Sequence, residues 1–297
     1  MMRVLSIVVL GLLVPTLSRA QGADRFAEAL RVYQEGDLSK ARAIIDDVVQ
    51  QDGFVRDPEA WLLRGFVYKD LYKAGADAPE GIGLRNTALH SLYECARLDS
   101  AGLYRENATQ AYDYLSKTMY NDAVRALNNM NDVAALERYE EYKQAVARMG
   151  LKHDMNARDV EFLNALGTLY TKRYNQSRDS IIWYDRAIRT YEQVLAIDSA
   201  NYGATYNLAT LYYNMGVYRI QQISPDNSIP QLEDIQRVSK EYFRSALPYM
   251  LKAHEMRGGR PETLQGLEGI HYSLQDLDKA EHYRVLYERI KQEGPKD

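Results

Sequence analysis

One pattern constrains this chain more than any other. A small residue sits inside an amphipathic segment, and a second segment then brings another small residue and an aromatic to meet it. Leu166-Gly167-Thr168-Leu169-Tyr170 is answered by Ala187, Tyr191 and Val194. Trp61-Leu62-Leu63-Arg64-Gly65 continues to Tyr68 and is answered by Ala88, Leu92 and Cys95. Leu208-Ala209-Thr210-Leu211-Tyr212 is answered by Ala246, Met250 and Ala253. Ala29 and Ala41 lie 12 residues apart, as do Ala123 and Ala135. Leu264 and Leu267 precede Leu277-Asp278-Lys279-Ala280, with Tyr287 beyond. Apolar residues three and four apart mark helices. Small side chains let two paired helices approach closely, so the pattern reads as about six helix pairs.

The pattern resembles the tetratricopeptide repeat family, whose unit carries W-x2-L-G-x2-Y on its first helix and A-x3-F on its second. Leu166-Gly167-x2-Tyr170 and Ala187-x3-Tyr191 fit well, and Trp61-x2-Arg64-Gly65-x2-Tyr68 fits except at Arg64. The family's terminal Pro is absent, and Asp99-Ser100 and Asp198-Ser199 occupy the corresponding turns. The resemblance implies an all-α fold, an α-α superhelix or solenoid whose first helices line a concave groove. Arg284 stands where other units have Leu, Tyr or Met, which suits a polar capping end.

Some spacings are longer. Gly65 to Ala88, Gly167 to Ala187 and Ala209 to Ala246 are separated by 23, 20 and 37 residues. Ile220 and Ile223 continue one helical stripe, and Leu232, Ile235 and Val238 begin another across the turn at Ser224-Pro225-Asp226-Asn227. The expectation is lengthened helices and a projecting hairpin. Leu103 to Asn128 likewise reads as one long helix. Pro58 and Pro261 suit first helical turns, and Pro248 should bend its helix.

The N-terminus reads as an address. Val4 to Val14 is an apolar run after Arg3, Pro15 breaks it, and Ser18-Arg19-Ala20 offers a cleavage site. The expectation is a signal peptide over 1–20 and a single repeat domain over 21–297. The run is too short to span a bilayer, which takes about 20 apolar residues. Removing Arg3 and Arg19 from the 37 basic residues leaves 35 against 41 acidic ones, a mature formal charge of −6. That balance gives no electrostatic case for nucleic acid. An exported location follows, periplasmic first and secreted second. Asn107-Ala108-Thr109 and Asn175-Gln176-Ser177 match glycosylation acceptors, a pattern common by chance.

No catalytic, cofactor or metal motif appears. The single Cys95 rules out an internal disulfide framework and falls on an inward face, so it reads as a small buried hydrophobe. His271 and His282 lie on facing helices and read as packing or surface residues. Acidic neighbours such as Asp46-Asp47 point to different sides of a helix and make poor dyads. The family resemblance places Tyr33, Asn164, Lys172, Tyr206, Asn207, Tyr213 and Tyr272 as groove candidates. Asn164 and Asn207 each offer a donor and an acceptor to a peptide backbone. The carboxylate clamp of the family's cochaperones is matched only by these amides and nearby Lys172, with Glu161 and Glu262 at the edges. The expected function is a non-enzymatic cell-envelope scaffold holding a protein or peptide partner. The alternative is an outer-membrane-associated glycan- or solute-binding protein.

Overall fold

The computed structural model describes residues 14–76 and 78–293. Most of the expected signal segment, residues 1–13, lies outside them. Among the described residues there are twelve α-helices and no strand. They are α1 (Val14–Gln34), α2 (Leu38–Val48), α3 (Pro58–Ala74), α4 (Gly81–Leu98), α5 (Arg105–Asn128) and α6 (Asp132–Met149). Then come α7 (Met155–Gln176), α8 (Ile181–Ile197), α9 (Tyr202–Gln221), α10 (Ile229–Met256), α11 (Pro261–Ser273) and α12 (Leu277–Glu293). The six expected pairs are present in order. They group into two compact units. Unit 1 ends at Ala123 and takes in Val133–His153, and unit 2 comprises Val124–Asp132 and Asp154 onward.

Close approach at small residues builds the pairs. A Cβ added at Gly65 would stand 2.6 Å from Leu92 Cδ2, and one at Gly167 2.7 Å from the Tyr191 ring. Both separations are closer than carbon atoms can come, so each glycine lets a large side chain lie directly on the first helix's backbone. The long fifth pair repeats the device further along. Gly216 of α9 receives Phe243 of α10, where a Cβ would meet the ring at 2.6 Å. Ala209 and Ala246 of the same pair are fully buried. The hairpin is therefore lengthened by adding another layer of the same packing, as the stripes predict, and α10 runs through Pro248 without a break.

Caps explain where the helices start. The Asp37, Asp57, Asp154 and Asn201 side chains accept from backbone N–H groups two or three residues on. Such a cap satisfies a donor the helix itself leaves free. Asp99 does more, accepting from the Leu103, Tyr104 and Arg105 amides at 3.1, 2.7 and 2.8 Å. Burial acts to raise its carboxyl, and those backbone donors outweigh it and hold the group below the ordinary range. The Asp-Ser turn thus does by hydrogen bonding what the family's Pro does by rigidity. Pro58 and Pro261 do open their helices.

The first, third and sixth pairs share one turn. Gly36, Met130 and Gln275 all lie at positive φ, 85°, 58° and 66°. In each, that residue's N–H bonds the carbonyl three back, and the next N–H bonds the carbonyl five back. Only Gly adopts this backbone without a Cβ clash, which costs other residues about 1–2 kcal/mol. Gln275→Gly is therefore expected to raise the thermal unfolding midpoint, with a gain of about 1 kcal/mol. Gly36→Ala should lower it by a similar amount, and a scan of both variants against wild type checks the pair.

Candidate functional site

Unit 1 carries a charged and aromatic surface along its first helices. Tyr33 of α1 donates to Asp70 Oδ2 of α3 at 2.6 Å. Burial first, then the Asp70 carboxylate, push the Tyr33 hydroxyl far above its usual range. Lys69 Nζ lies 3.5 Å from Asp70 Oδ1 and 4.5 Å from the centre of the Phe66 ring. One turn on, Lys73 Nζ lies 5.3 Å from the centre of the Tyr114 ring on α5. Phe66, Lys69 and Lys73, with Asn107, Gln110 and Tyr114, line a cleft of about 240 Å³. Lys69 has Asp70 beside it, and among the described residues Lys73 has no carboxylate partner, so the described lining sets one unpaired lysine over an aromatic floor.

Unit 2 holds most of the expected groove residues. Asn164 of α7 donates to Val160 O at 2.9 Å and to Asn201 Oδ1 at 3.4 Å, so its amide ties α7 to the cap of α9. Asn207 is half-buried beside the Tyr191 hydroxyl. Tyr213 packs on Phe243 with ring centres 5.6 Å apart, and its hydroxyl lies where a Cβ on Gly269 would fall. These three belong to the scaffold's own contacts. Tyr206 is half-buried and stacks on Tyr202 at 6.0 Å with planes 10° apart. The Tyr202 hydroxyl donates to Glu262 Oε1 at 3.2 Å, and the Arg257 guanidinium lies 4.3 Å from the centre of its ring. Burial and then Glu262 push that hydroxyl up to about 12. Lys172 is exposed and lines a cleft of about 200 Å³ with Leu127, Asn128, Met130, Ala165 and Thr168. Tyr272 is 68% exposed.

Sequence reading missed the Phe66, Lys69, Lys73 and Tyr114 cluster. A signal existed, since Phe66, Lys69 and Lys73 fall three and four apart on a first helix. It missed a second charged feature as well. Asp132, which is buried, receives Arg173 at 3.1 Å and Arg186 at 3.0 Å, and both guanidiniums lie against the Trp183 ring. Asp132 begins α6, so the two arginines hold that helix start within unit 2. Arg64, the departure from the repeat pattern, bonds Asp46 Oδ1 at 2.8 Å and Ser91 Oγ at 2.9 Å. Asp46 of the acidic pair is thereby a structural partner.

One string of catalytic side-chain types runs into the core. His153 Nε2 lies 2.6 Å from Asp113 Oδ1, and its Nδ1 lies 2.8 Å from the Tyr142 hydroxyl. Tyr142 is almost wholly buried, so this string ends inside the core and presents no reactive atom to a substrate. Among the described residues no group of three His, Cys, Asp or Glu is arranged to hold a metal. No described helix is long and apolar enough to cross a membrane.

No family model and no curated protein matches this chain. Solved structures do. A Pseudomonas aeruginosa PilF structure is 13% identical over 93% of this chain and 99% of its own, with a TM-score of 0.33. A monomeric mutant of IFIT1 with Gppp-AAAA is 14% identical over 87% of this chain, TM-score 0.38, and the match spans 58% of that protein. The human IFIT1 dimer with m7Gppp-AAAA is 13% identical over 91% of this chain and 72% of its own, TM-score 0.25. At these identities and scores the likenesses assign neither a family nor a ligand.

Cys95 is fully buried, and burial followed by the nearby Asp99 and Asp57 charges pushes its thiol up to about 12. A thiol that stays protonated and covered is inert. Native protein at pH 8 is expected to leave Cys95 unmodified by a thiol-reactive disulfide reagent, and denaturant should release one equivalent. Rapid labelling of the native chain would contradict the buried placement.

Proposed function

We propose that this chain is a non-enzymatic scaffold of an exported, cell-envelope compartment. It holds an acidic segment of a protein partner along the first-helix face of its repeats. The observation that carries this reading is the Lys69–Lys73 cleft of unit 1. Two lysines on successive turns of α3, each set against an aromatic ring, face the exposed Asn107 of α5. An ammonium group fixed beside an aromatic keeps its charge and loses freedom before a ligand arrives. A carboxylate entering the cleft gains charge-assisted hydrogen bonds from the lysines, and the amides serve the adjoining peptide groups. At about 240 Å³ the cleft takes one or two anchoring side chains rather than a whole folded domain. The aromatic-rich repeat core is built for packing and for presenting a surface, which supports binding as the reading.

A glycan or solute ligand is the second reading. It is favoured by the parallel Tyr202–Tyr206 stack, flanked by Arg257 and Glu262, because flat rings with polar neighbours suit sugar faces.

The two readings separate by substitution. A fluorescein-labelled hexaglutamate peptide is expected to bind residues 21–297 with an affinity that falls as salt rises. Lys69→Glu with Lys73→Glu should weaken it by about tenfold or more, since ~1.4 kcal/mol is tenfold. The all-glutamine peptide should bind weakly to both proteins. Equal binding of hexaglutamate to wild type and double variant sinks the acidic-segment reading. An oligosaccharide that stabilises the wild type but not Tyr202→Ala would replace it with the second.

A further inference from the structure

Three of the five histidines converge on one tyrosine at the C-terminal end of unit 2. His271 of α11 stacks on Tyr283 of α12, with ring centres 5.5 Å apart and planes 13° apart. His254 of α10 meets the same ring edge-on at 6.0 Å, and His282 of α12 at 5.2 Å. His271 is 3% exposed; its Nε2 has no hydrogen-bond partner, and its Nδ1 has only the Asp276 carboxylate, 3.4 Å away and out of line for a hydrogen bond. His254 Nδ1 is buried and unpartnered as well. A neutral imidazole tolerates such a seat. An imidazolium carries a charge and a second N–H donor; the Nε2–H side would be stranded from water, with Asp276 the one anion near the ring.

We infer that the α11–α12 pair is an acid-sensitive latch, in which protonation of His271 expels its ring from the Tyr283 stack and releases the last helix pair from α10.

The groups around His271 support this direction. From the α11–α12 turn, Asp276 Oδ2 lies 3.4 Å from Nδ1, the one anion that favours the charged form. That carboxylate is shared with Lys279 Nζ of α12 at 2.9 Å, whose own charge opposes a second cation beside it. Elsewhere on α12, Glu281 is taken by Arg284 at 2.7 Å. From α10, His254 brings a second titratable ring, and from α12 His282 brings a third. From α9, the groups that reach α11 are the hydroxyls of Tyr202, bonded to Glu262, and Tyr213, set at Gly269. None supplies a free carboxylate. Burial accordingly lowers the affinity of His271 for a proton, outweighing Asp276. A group with its folded value below its unfolded one stabilises the fold above the unfolded value, and that stability is lost as pH falls through it. The sensitive window opens at about pH 6.5, the ordinary value for histidine, and extends downward.

Opening would have a reach beyond the latch. Glu262 would leave the Tyr202 hydroxyl, and Gly269 would leave Tyr213, so part of the first-helix face of unit 2 would come apart. The latch itself stands whatever that face binds.

Amide hydrogen exchange on residues 21–297, corrected for intrinsic rates, tests it between pH 7.5 and 5. In wild type the opening of α11 and α12 should rise by up to about tenfold per pH unit below about pH 6.5, the limit for one proton taken up. His271→Phe keeps a flat ring for the stack and cannot titrate, so its opening should depend on pH clearly less than the wild type's, with only the His254 and His282 rings left at Tyr283. Equal pH dependence in wild type and His271→Phe, or none in wild type, overturns the proposal. Should that variant fail to fold, the wild-type imidazole signals decide instead. A His271 ring that stays neutral well below pH 6.5 in the folded protein is the expected result. One that protonates at or above pH 6.5 with α11 still protected rules the latch out.

Discussion

The contact of a large side chain with bare backbone underlies this fold. Leu92 lies on Gly65, Tyr191 on Gly167 and Phe243 on Gly216, each at a separation that leaves no room for a Cβ. Helices that approach this closely bury a wide stripe, and burying apolar surface is the main favourable term in folding. A single pair cannot cover its own outer stripe, so neighbouring pairs must pack in turn. Met250 of α10 reaching Gly266 of α11 is the same contact used between pairs. The aromatic excess follows from it, because a ring offers the largest flat area to set against exposed backbone.

Such a scaffold has few ways to hold charge inside, and the exceptions mark where something besides apolar burial is at work. Arg85 is 1% exposed and meets Asp122 at 2.6 Å, yet its Nε and Nη2 have no partner. Asp132 draws in two arginines, and Arg64 replaces an apolar residue of the repeat by bonding Asp46 and Ser91. Each of these ties a helix to its neighbours along the chain. An ion pair buried in this way adds little net stability, but removing one partner leaves the other stranded, which makes the arrangement specific. The lysines of the unit 1 cleft differ. Both sit over rings, and Lys73 is exposed and among the described residues has no acidic partner, which is the condition for offering charge to another molecule.

The pairing, its order and the long fifth hairpin were legible because helical periodicity and small-residue spacing are local signals. The fate of particular tyrosines and asparagines was not. Asn164 and Tyr213 fall at groove positions by repeat register, but their polar atoms are turned to Asn201 and to Gly269. Register fixes the helix face a residue occupies. Whether its side chain then meets a neighbouring helix depends on what that helix brings, and here the neighbour brought a cap amide and a glycine. Lys73 and Tyr114 were overlooked for the converse reason, being 41 positions apart and meaningful only together.

By itself the sequence determined an all-helical chain of six pairs, the glycines that allow close approach and the buried state of Cys95. These depend on contacts a few residues apart, or on composition, which a linear reading contains. Only the tertiary structure decided that three histidines share the Tyr283 ring, that Gly36, Met130 and Gln275 make the same turn, and that the open basic cleft lies in unit 1. Those outcomes depend on the distances and orientations between separate helices, and close packing sets these for all the side chains of a unit together.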